Sequence, residues 1–274
     1  MADLAAVTTP VPADPADPAA GLTWDVPDTW QQGRGAWGGL VVAALARAAL
    51  AAEPDPVRRL RSVSIQILAP VPAGRVRLDT TPLRIGTGMS TRSVRLTRDG
   101  EVLAGGVVVL GAPRAPDLDT SGPLWRTPSR PDVPSYDDVP VAALPPGVGP
   151  VFTQHLQLRP VSGWPASGAS EVLTWVKLLD PPGEAAHDDA GVVALVDALW
   201  PALLLLLPGM RPVATVTFEA AVVSDPAGLD PAEPLLHRGR VVAARDGYVV
   251  ETRELWSPAG DLVVTNVQTM AVIR

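Results

Sequence analysis

Residues 37–52 are apolar at almost every position, with Arg47 as the only charge. A stretch hydrophobic all round is a buried helix. Gly38-Gly39 opens it, and Glu53-Pro54-Asp55-Pro56 stops it, because proline cannot continue a helix. The pattern then shortens, and residues 60–69, 75–85, 90–97 and 101–110 read as four strands, the last two joined by a tight turn at Arg98-Asp99-Gly100.

Residues 113–150 carry proline every few positions and no sustained apolar period, which is a linker long enough to cross a domain. Beyond it the same order returns. Residues 151–158 and 171–179 read as strands, 188–207 as a second long helix, and 213–223, 235–244, 248–256 and 261–273 as four more strands. Ser257-Pro258-Ala259-Gly260 is the hairpin that matches Arg98-Asp99-Gly100. Two copies of one unit predict an α+β body with a pseudo-two-fold axis, each curved antiparallel sheet wrapping its own helix. The units span residues 21–112 and 151–274. Residues 1–20, rich in Ala, Pro and Asp, are expected to form a disordered tail.

Composition narrows the chemistry. The 274 residues suffice for two units, and 47% apolar with 19% charged residues is a globular balance. There is no cysteine, which removes disulfides, thiolate metal sites and a thiol nucleophile. His155, His187 and His237 lie far apart in the sequence, so no metal site is expected. A net charge of −7 argues against a nucleic-acid surface, although Arg58, Arg59, Arg61, Arg84, Arg92 and Arg95 could offer a small anion a local patch or could be solvated strand-edge charges. The N-terminus lacks the basic start and apolar core of a signal peptide. The longest apolar run, residues 192–207, is shorter than the roughly 20 residues of a membrane span and contains Asp197 and Pro201. A cytoplasmic protein with no membrane association is the expectation.

Asp197 is the one ionisable side chain in that run, and an unpaired carboxylate there is costly, so it needs partners or a shifted pKa. Pro201 cannot donate to the Asp197 carbonyl, so a kink is expected beside it. Thr215 begins an alternating strand and could be an ordinary strand residue. Gln268 lies among Val263, Val264, Val267 and Met270, where an amide suggests a required hydrogen bond or an outward-facing side chain. Aligning the final hairpins sets Val108 opposite Gln268, and the first helix has no acid matching Asp197, so one active centre is expected. Gly38 and Gly39 at a helix start could offer amides to an anion or could simply allow close packing. Gly33-Arg34-Gly35-Ala36-Trp37-Gly38 matches a dinucleotide fingerprint in form only, since no apolar strand precedes it, and no G-x-S-x-G elbow is present.

Ala36-Trp37-Gly38-Gly39-Leu40-Val41-Val42, the strand from Ser62 through Pro70, Arg84-Ile85-Gly86 and Arg98-Asp99-Gly100 resemble the N-terminal half of the acyl-CoA thioesterase II family. Val196-Asp197-Ala198, Ala214-Thr215-Val216 and Thr265-Asn266-Val267-Gln268 resemble its C-terminal half. The resemblance implies a double hotdog fold and hydrolysis of an acyl-CoA thioester to free acid and CoA without a covalent intermediate. It implies Asp197, Thr215 and Gln268 as the water-activating trio; Gly38 and Gly39, from their place at the helix start, are the candidate oxyanion donors. CoA enters as part of the substrate, so no separate cofactor is implied, and a homodimer or higher homo-oligomer is. The sequence departs from the family at Thr217-Phe218, where Asp-His is common, and at Leu40, where a polar residue is. The hydratases of this architecture are a poorer match, because their Asp and His five positions apart are missing. A hotdog protein that binds acyl-CoA or another apolar ligand without turning it over is the second reading.

Overall fold

The computed structural model describes residues 3–17, 20–114, 128–142, 149–179 and 187–273. The first unit contains α1 (Leu4–Thr8), β1 (Val11–Pro12), β2 (Leu22–Val26), β3 (Gln31–Gln32), β4 (Gly35–Ala36), α2 (Gly38–Ala51), β5 (Arg59–Ile67), β6 (Gly74–Ile85), β7 (Met89–Arg98) and β8 (Glu101–Gly111). The second contains β9 (Leu156–Ser162), β10 (Glu171–Leu178), α3 (Asp189–Leu195), α4 (Leu203–Leu206), β11 (Val213–Val222), β12 (Leu235–Arg245), β13 (Tyr248–Trp256) and β14 (Leu262–Val272). Among the described residues twelve strands form one antiparallel sheet in the order β1-β2-β6-β7-β8-β5-β11-β14-β13-β12-β10-β9. The halves join where β5 pairs with β11, and each half curls around its helix.

The duplication is visible in the register. In the first half Val63 pairs with Val108, and a bulge falls between Leu60 and Ser62. In the second half Phe218 pairs with Gln268, and a bulge falls between Thr215 and Thr217. The outer pairs agree: Arg92 faces both Pro82 and Val108, and Glu251 faces both Val241 and Gln268, with a bulge following Pro82 and Val241 alike. Thr215 therefore corresponds to Leu60, Gln268 to Val108, Glu251 to Arg92 and Arg253 to Val94.

α2 sits where its composition sends it. Eleven of its fourteen residues, from Gly38 to Ala49, are buried against the sheet and α3. The hairpin at Asp99-Gly100 has φ of 52° and 85°, the left-handed pair that a two-residue turn needs.

Three expectations are corrected. Residues 1–20 are not wholly a disordered tail, because α1 packs Leu4, at 1% exposure, into the core. The Trp24 indole donates to the Val7 carbonyl at 2.7 Å, and Arg47 Nε donates to Thr8 Oγ1 at 2.8 Å. Asp3 caps α1 by accepting from the Ala5 amide. Leu4→Ala is therefore expected to lower the unfolding free energy by about 2 kcal/mol, read from the urea midpoint, whereas a loose tail would leave it unchanged.

Residues 151–158 are not one strand: Val151–His155 is a 3-10 turn that leads into β9. Its Phe152 stacks on Trp37 at 4.7 Å, and His155 stacks on Trp30 at 4.0 Å. The turn thus carries both rings onto tryptophans of the first unit. The single helix expected over 188–207 is broken into α3 and α4. In the expected linker, residues 128–142 lie against the second sheet: Val139 is buried, and the Trp175 indole donates to the Pro134 carbonyl at 3.0 Å. The rest of the 113–150 expectation falls mostly outside the described residues.

Candidate active site

The break between α3 and α4 builds the site. Asp188 caps α3 by accepting from the Gly191 amide at 2.8 Å, and Arg47 of α2 grips the same carboxylate at 2.5 and 2.9 Å. At the other end the turns tighten, with the Asp197 amide donating to Ala194 and the Ala198 amide to Leu195. Pro201 has no N–H for the Asp197 carbonyl, and its ring would strike that oxygen, so the α-helix cannot continue. The freed carbonyls find other partners. Val196 O accepts from His237 Nε2 at 2.8 Å, and Asp197 O accepts from the Trp37 indole at 2.9 Å. Trp37 is held in turn by its stack on Trp30 and Phe152.

The break turns Asp197 toward the start of α2. Its Oδ2 accepts from the Gly39 amide at 2.8 Å, one of the donors that the first turn of a helix leaves unpaired. Its Oδ1 accepts from Arg253 Nη1 at 2.6 Å and Gln268 Nε2 at 2.8 Å. The residue is 6% exposed. Burial raises its pKa above the ordinary carboxylate value, against the pull of Arg253, Gln268 and Gly39. A carboxyl group shifted upward is a stronger base once ionised, which suits proton abstraction near neutral pH.

Gln268 is fully committed. Its amide N–H groups go to Asp197 Oδ1 and, at 3.0 Å, to Asn266 Oδ1, while its Oε1 accepts from the Thr215 hydroxyl at 2.9 Å. This donor and acceptor pattern fixes which way the amide faces. The bulge at Val216 explains how Thr215 takes part. Without the extra residue Thr215 and Phe218 would face opposite sides of the sheet; with it, both face the interior beside Gln268. Asn266 is anchored by its own donation to Glu219 O at 2.8 Å.

The structure thus brings Asp197, Thr215, Gln268 and Gly39 into one hydrogen-bonded cluster. Gly38 is adjacent, since a Cβ there would lie 3.0 Å from Asp197 Oδ2. Gly39 serves close packing as well: a Cβ on it would meet the Ala194 carbonyl at 2.5 Å and the Trp37 ring at 2.8 Å. The first-half positions that match Thr215 and Gln268, Leu60 and Val108, carry no polar group, so the trio is not repeated there, as the alignment of the halves implies.

Sequence reasoning missed Arg253, Glu251 and His237. Arg253, 2% exposed, also donates through Nε to Glu251 Oε1 at 2.9 Å, and Glu251 Oε2 accepts from the Ala202 amide at 2.7 Å. The signal was available. Val249, Glu251, Arg253 and Leu255 alternate along β13, so two charged residues share the inward face with two apolar ones. His237 is wholly buried, and burial, with Arg253 nearby, pushes its pKa down to about 3, so it stays neutral.

The arginines offered as an anion patch lie elsewhere. Arg58 and Arg92 are buried and pair with Glu53 rather than standing as solvated edge charges. Arg59 bridges Asp189 and Asp225, and with Arg61 it lines a groove of about 560 Å³. Trp37 and Phe218 are core, and half-buried Trp200 stacks on Trp164. No helix among the described residues is long and apolar enough to cross a membrane.

Comparison with known proteins bears on the family and the fold. A model of the acyl-CoA thioesterase N-terminal domain matches residues 26–111, and one of the C-terminal domain matches residues 132–272. No curated protein sequence matches. Among solved structures, a hot dog fold protein of unknown function from Alicyclobacillus acidocaldarius is 23% identical, covering 92% of this chain and 93% of that one with a TM-score of 0.82. A putative thioesterase II from Thermobifida fusca YX is 20% identical over 100% and 98% of the two chains, also at 0.82. An acyl-CoA thioesterase II, TesB2, from Mycobacterium marinum is 17% identical over 92% of each chain at 0.72. The fold is a double hotdog. With both halves matched by the paired family models, the chain belongs to the acyl-CoA thioesterase family and is a thioester hydrolase.

Proposed function

We propose that the protein hydrolyses acyl-CoA thioesters by direct attack of a water activated by Asp197, with no acyl-enzyme. The observation that supports this reading is the convergence of Asp197, Thr215 and Gln268, from three separate elements, on one buried hydrogen-bonded cluster.

Counting lone pairs assigns the roles. Asp197 Oδ1 already accepts two bonds and Oδ2 only one, so the free position on Oδ2 is where a water would give up its proton. Thr215 spends its hydroxyl hydrogen on Gln268 and keeps lone pairs to accept the second hydrogen of that water. The water's own lone pair is then left for the thioester carbonyl carbon. Gln268 acts one bond further back, orienting both Thr215 and the carboxylate. Thr215 is half-buried and Asp197 buried, so substrate enters from the Thr215 side. The Gly39 amide is engaged by Asp197, which leaves the Gly38 amide as the candidate oxyanion donor at the head of α2. CoA departs as the thiol, and the proton held by Asp197 goes to it.

The test is thiol release from short, medium, long and aryl acyl-CoAs by wild type and Thr215→Val. We expect hydrolysis of at least one class, and about a tenfold to hundredfold loss of kcat in the variant with little change in KM, as for a lost orienting hydrogen bond. Acyl-CoA binding without turnover of any thioester would instead support the non-catalytic ligand-binding reading.

A further inference from the structure

We infer that Arg253 is a positioning residue that keeps Asp197 ionised and aims its free lone pair, and that Glu251 tunes its strength. The inference rests on the proposed role of Asp197 but can be tested apart from it.

The geometry carries it. Arg253 is 2% exposed and divides its guanidinium between two carboxylates, Asp197 Oδ1 through Nη1 at 2.6 Å and Glu251 Oε1 through Nε at 2.9 Å. Glu251, with no measurable exposure, is tied to the Ala202 amide just past Pro201, at the start of α4. The chain of contacts Ala202, Glu251, Arg253, Asp197 therefore links the broken helix to β13. It fixes the carboxylate plane from the side opposite Gly39. Arg253 leaves Oδ2 to Gly39 and the substrate water, because its own bond and that of Gln268 fill Oδ1.

The fold does not require the guanidinium. The equivalent position in the first half is Val94, buried at 1% exposure, and the equivalent of Glu251 is Arg92, which turns to Glu53 instead. The buried arginines of the first half, Arg58 and Arg92, pair with Glu53 just past α2, and none stands at the position of Arg253. Burying a carboxylate without compensation favours its neutral form, which cannot accept a proton from water. Arg253 opposes that tendency.

The groups facing Asp197 are few. β13 supplies Arg253 and Glu251, and β14 supplies Gln268 and Asn266. β11 supplies Thr215, and α2 the Gly39 amide. β12 supplies His237, whose ring bonds to Val196 O next to Asp197 and is neutral over the working range. The acid limb of the pH profile therefore reports Asp197 under the influence of Arg253 and Glu251.

The experiment compares the pH dependence of kcat/KM for wild type, Arg253→Met, Arg253→Lys and Glu251→Gln. The same proteins carry 13C-labelled aspartate carboxyl groups, with the Asp197 resonance assigned by its loss in Asp197→Asn. Arg253→Met should move the acid limb and the Asp197 titration up by more than about one pH unit, a tenfold or larger loss on the acid limb that recovers at higher pH. Arg253→Lys, keeping the charge, should stay near wild type in titration while losing kcat through poorer aim. Glu251→Gln removes a competing negative charge and should move both readouts downward. That opposite sign separates electrostatic control from general damage, and it decides the matter even if Arg253→Met does not fold. An unchanged titration in Arg253→Met, or an upward shift in Glu251→Gln, overturns the inference. If wild type hydrolyses no thioester, the proposed function falls, while the carboxyl titration still decides the role of Arg253.

Discussion

Asp197→Asn is expected to lower kcat for acyl-CoA hydrolysis by about 10²–10⁴-fold, the usual worth of a positioned general base. An amide cannot take the proton of the attacking water. Its shape is nearly that of the carboxylate, so the fold should survive with a modest loss. Whichever way the amide faces, its NH2 group meets a donor, either Gly39 on one side or Arg253 and Gln268 on the other, at a cost of about 1–3 kcal/mol. Arg253 keeps Glu251 as a partner, so no guanidinium is stranded. The sign of the pH dependence follows from the raised pKa of Asp197. Its contribution to stability is full below the unfolded value of about 4 and is lost as pH rises through the higher folded value. The stability deficit of Asp197→Asn should therefore be larger at acid pH than at neutral pH. Denaturant titration at the two pH values, beside thiol-release kinetics, checks both halves of this expectation.

Gly39→Ala is expected to destabilise the protein by about 1–3 kcal/mol and to cost most of its activity. In an open helix the change would help by about 1 kcal/mol, because alanine is the better helix former. Here the new methyl would lie 2.5 Å from the Ala194 backbone carbonyl and 2.8 Å from the Trp37 ring. Neither can yield cheaply: one is main chain in α3, and the other is a fully buried indole held in an aromatic stack. α2 must move away from α3, which stretches the Gly39 to Asp197 bond and the Trp37 grip on the Asp197 carbonyl together. Thermal unfolding and kcat measured side by side would show both losses; a variant that gains stability and keeps its rate would mean that the helices do not meet as closely as described.

Much of this architecture is legible in the chain because its signals are local. The apolar run of α2, the alternation of β5 to β8 and β11 to β14, and the Asp-Gly turn each depend on neighbours within a few residues. Aligning the two halves also sets Val108 opposite Gln268, a correspondence that the paired bulges in β5 and β11 bear out. The misreadings share a physical cause. Residues 188–207 look like one helix because the run is apolar at almost every position; Pro201 marks a kink, and the partners of Val196, Asp197 and Ala202, distant in sequence, turn that kink into a break. Residues 151–158 look like a strand until Phe152 and His155 are seen stacking on tryptophans far away in sequence. Residues 4–8 look like part of a tail because prolines and aspartates crowd around them, yet Leu4, Ala5 and Thr8 are buried, and Val7 and Thr8 find partners on Trp24 and Arg47. Arg253 went unread because a charged residue in a strand is usually solvated, and the inward alternation of β13 counts against that habit.

The most direct test of water attack is a single turnover with enzyme in excess over an acyl-CoA, run in H2(18)O, with mass analysis of the released acid and of the peptide containing Asp197. Direct attack predicts one 18O atom in the free acid formed in that first turnover and none in the Asp197 carboxylate. Unlabelled acid together with 18O in the Asp197 peptide, the mark of an anhydride formed on Asp197 and opened by water at the protein carbon, would contradict the account.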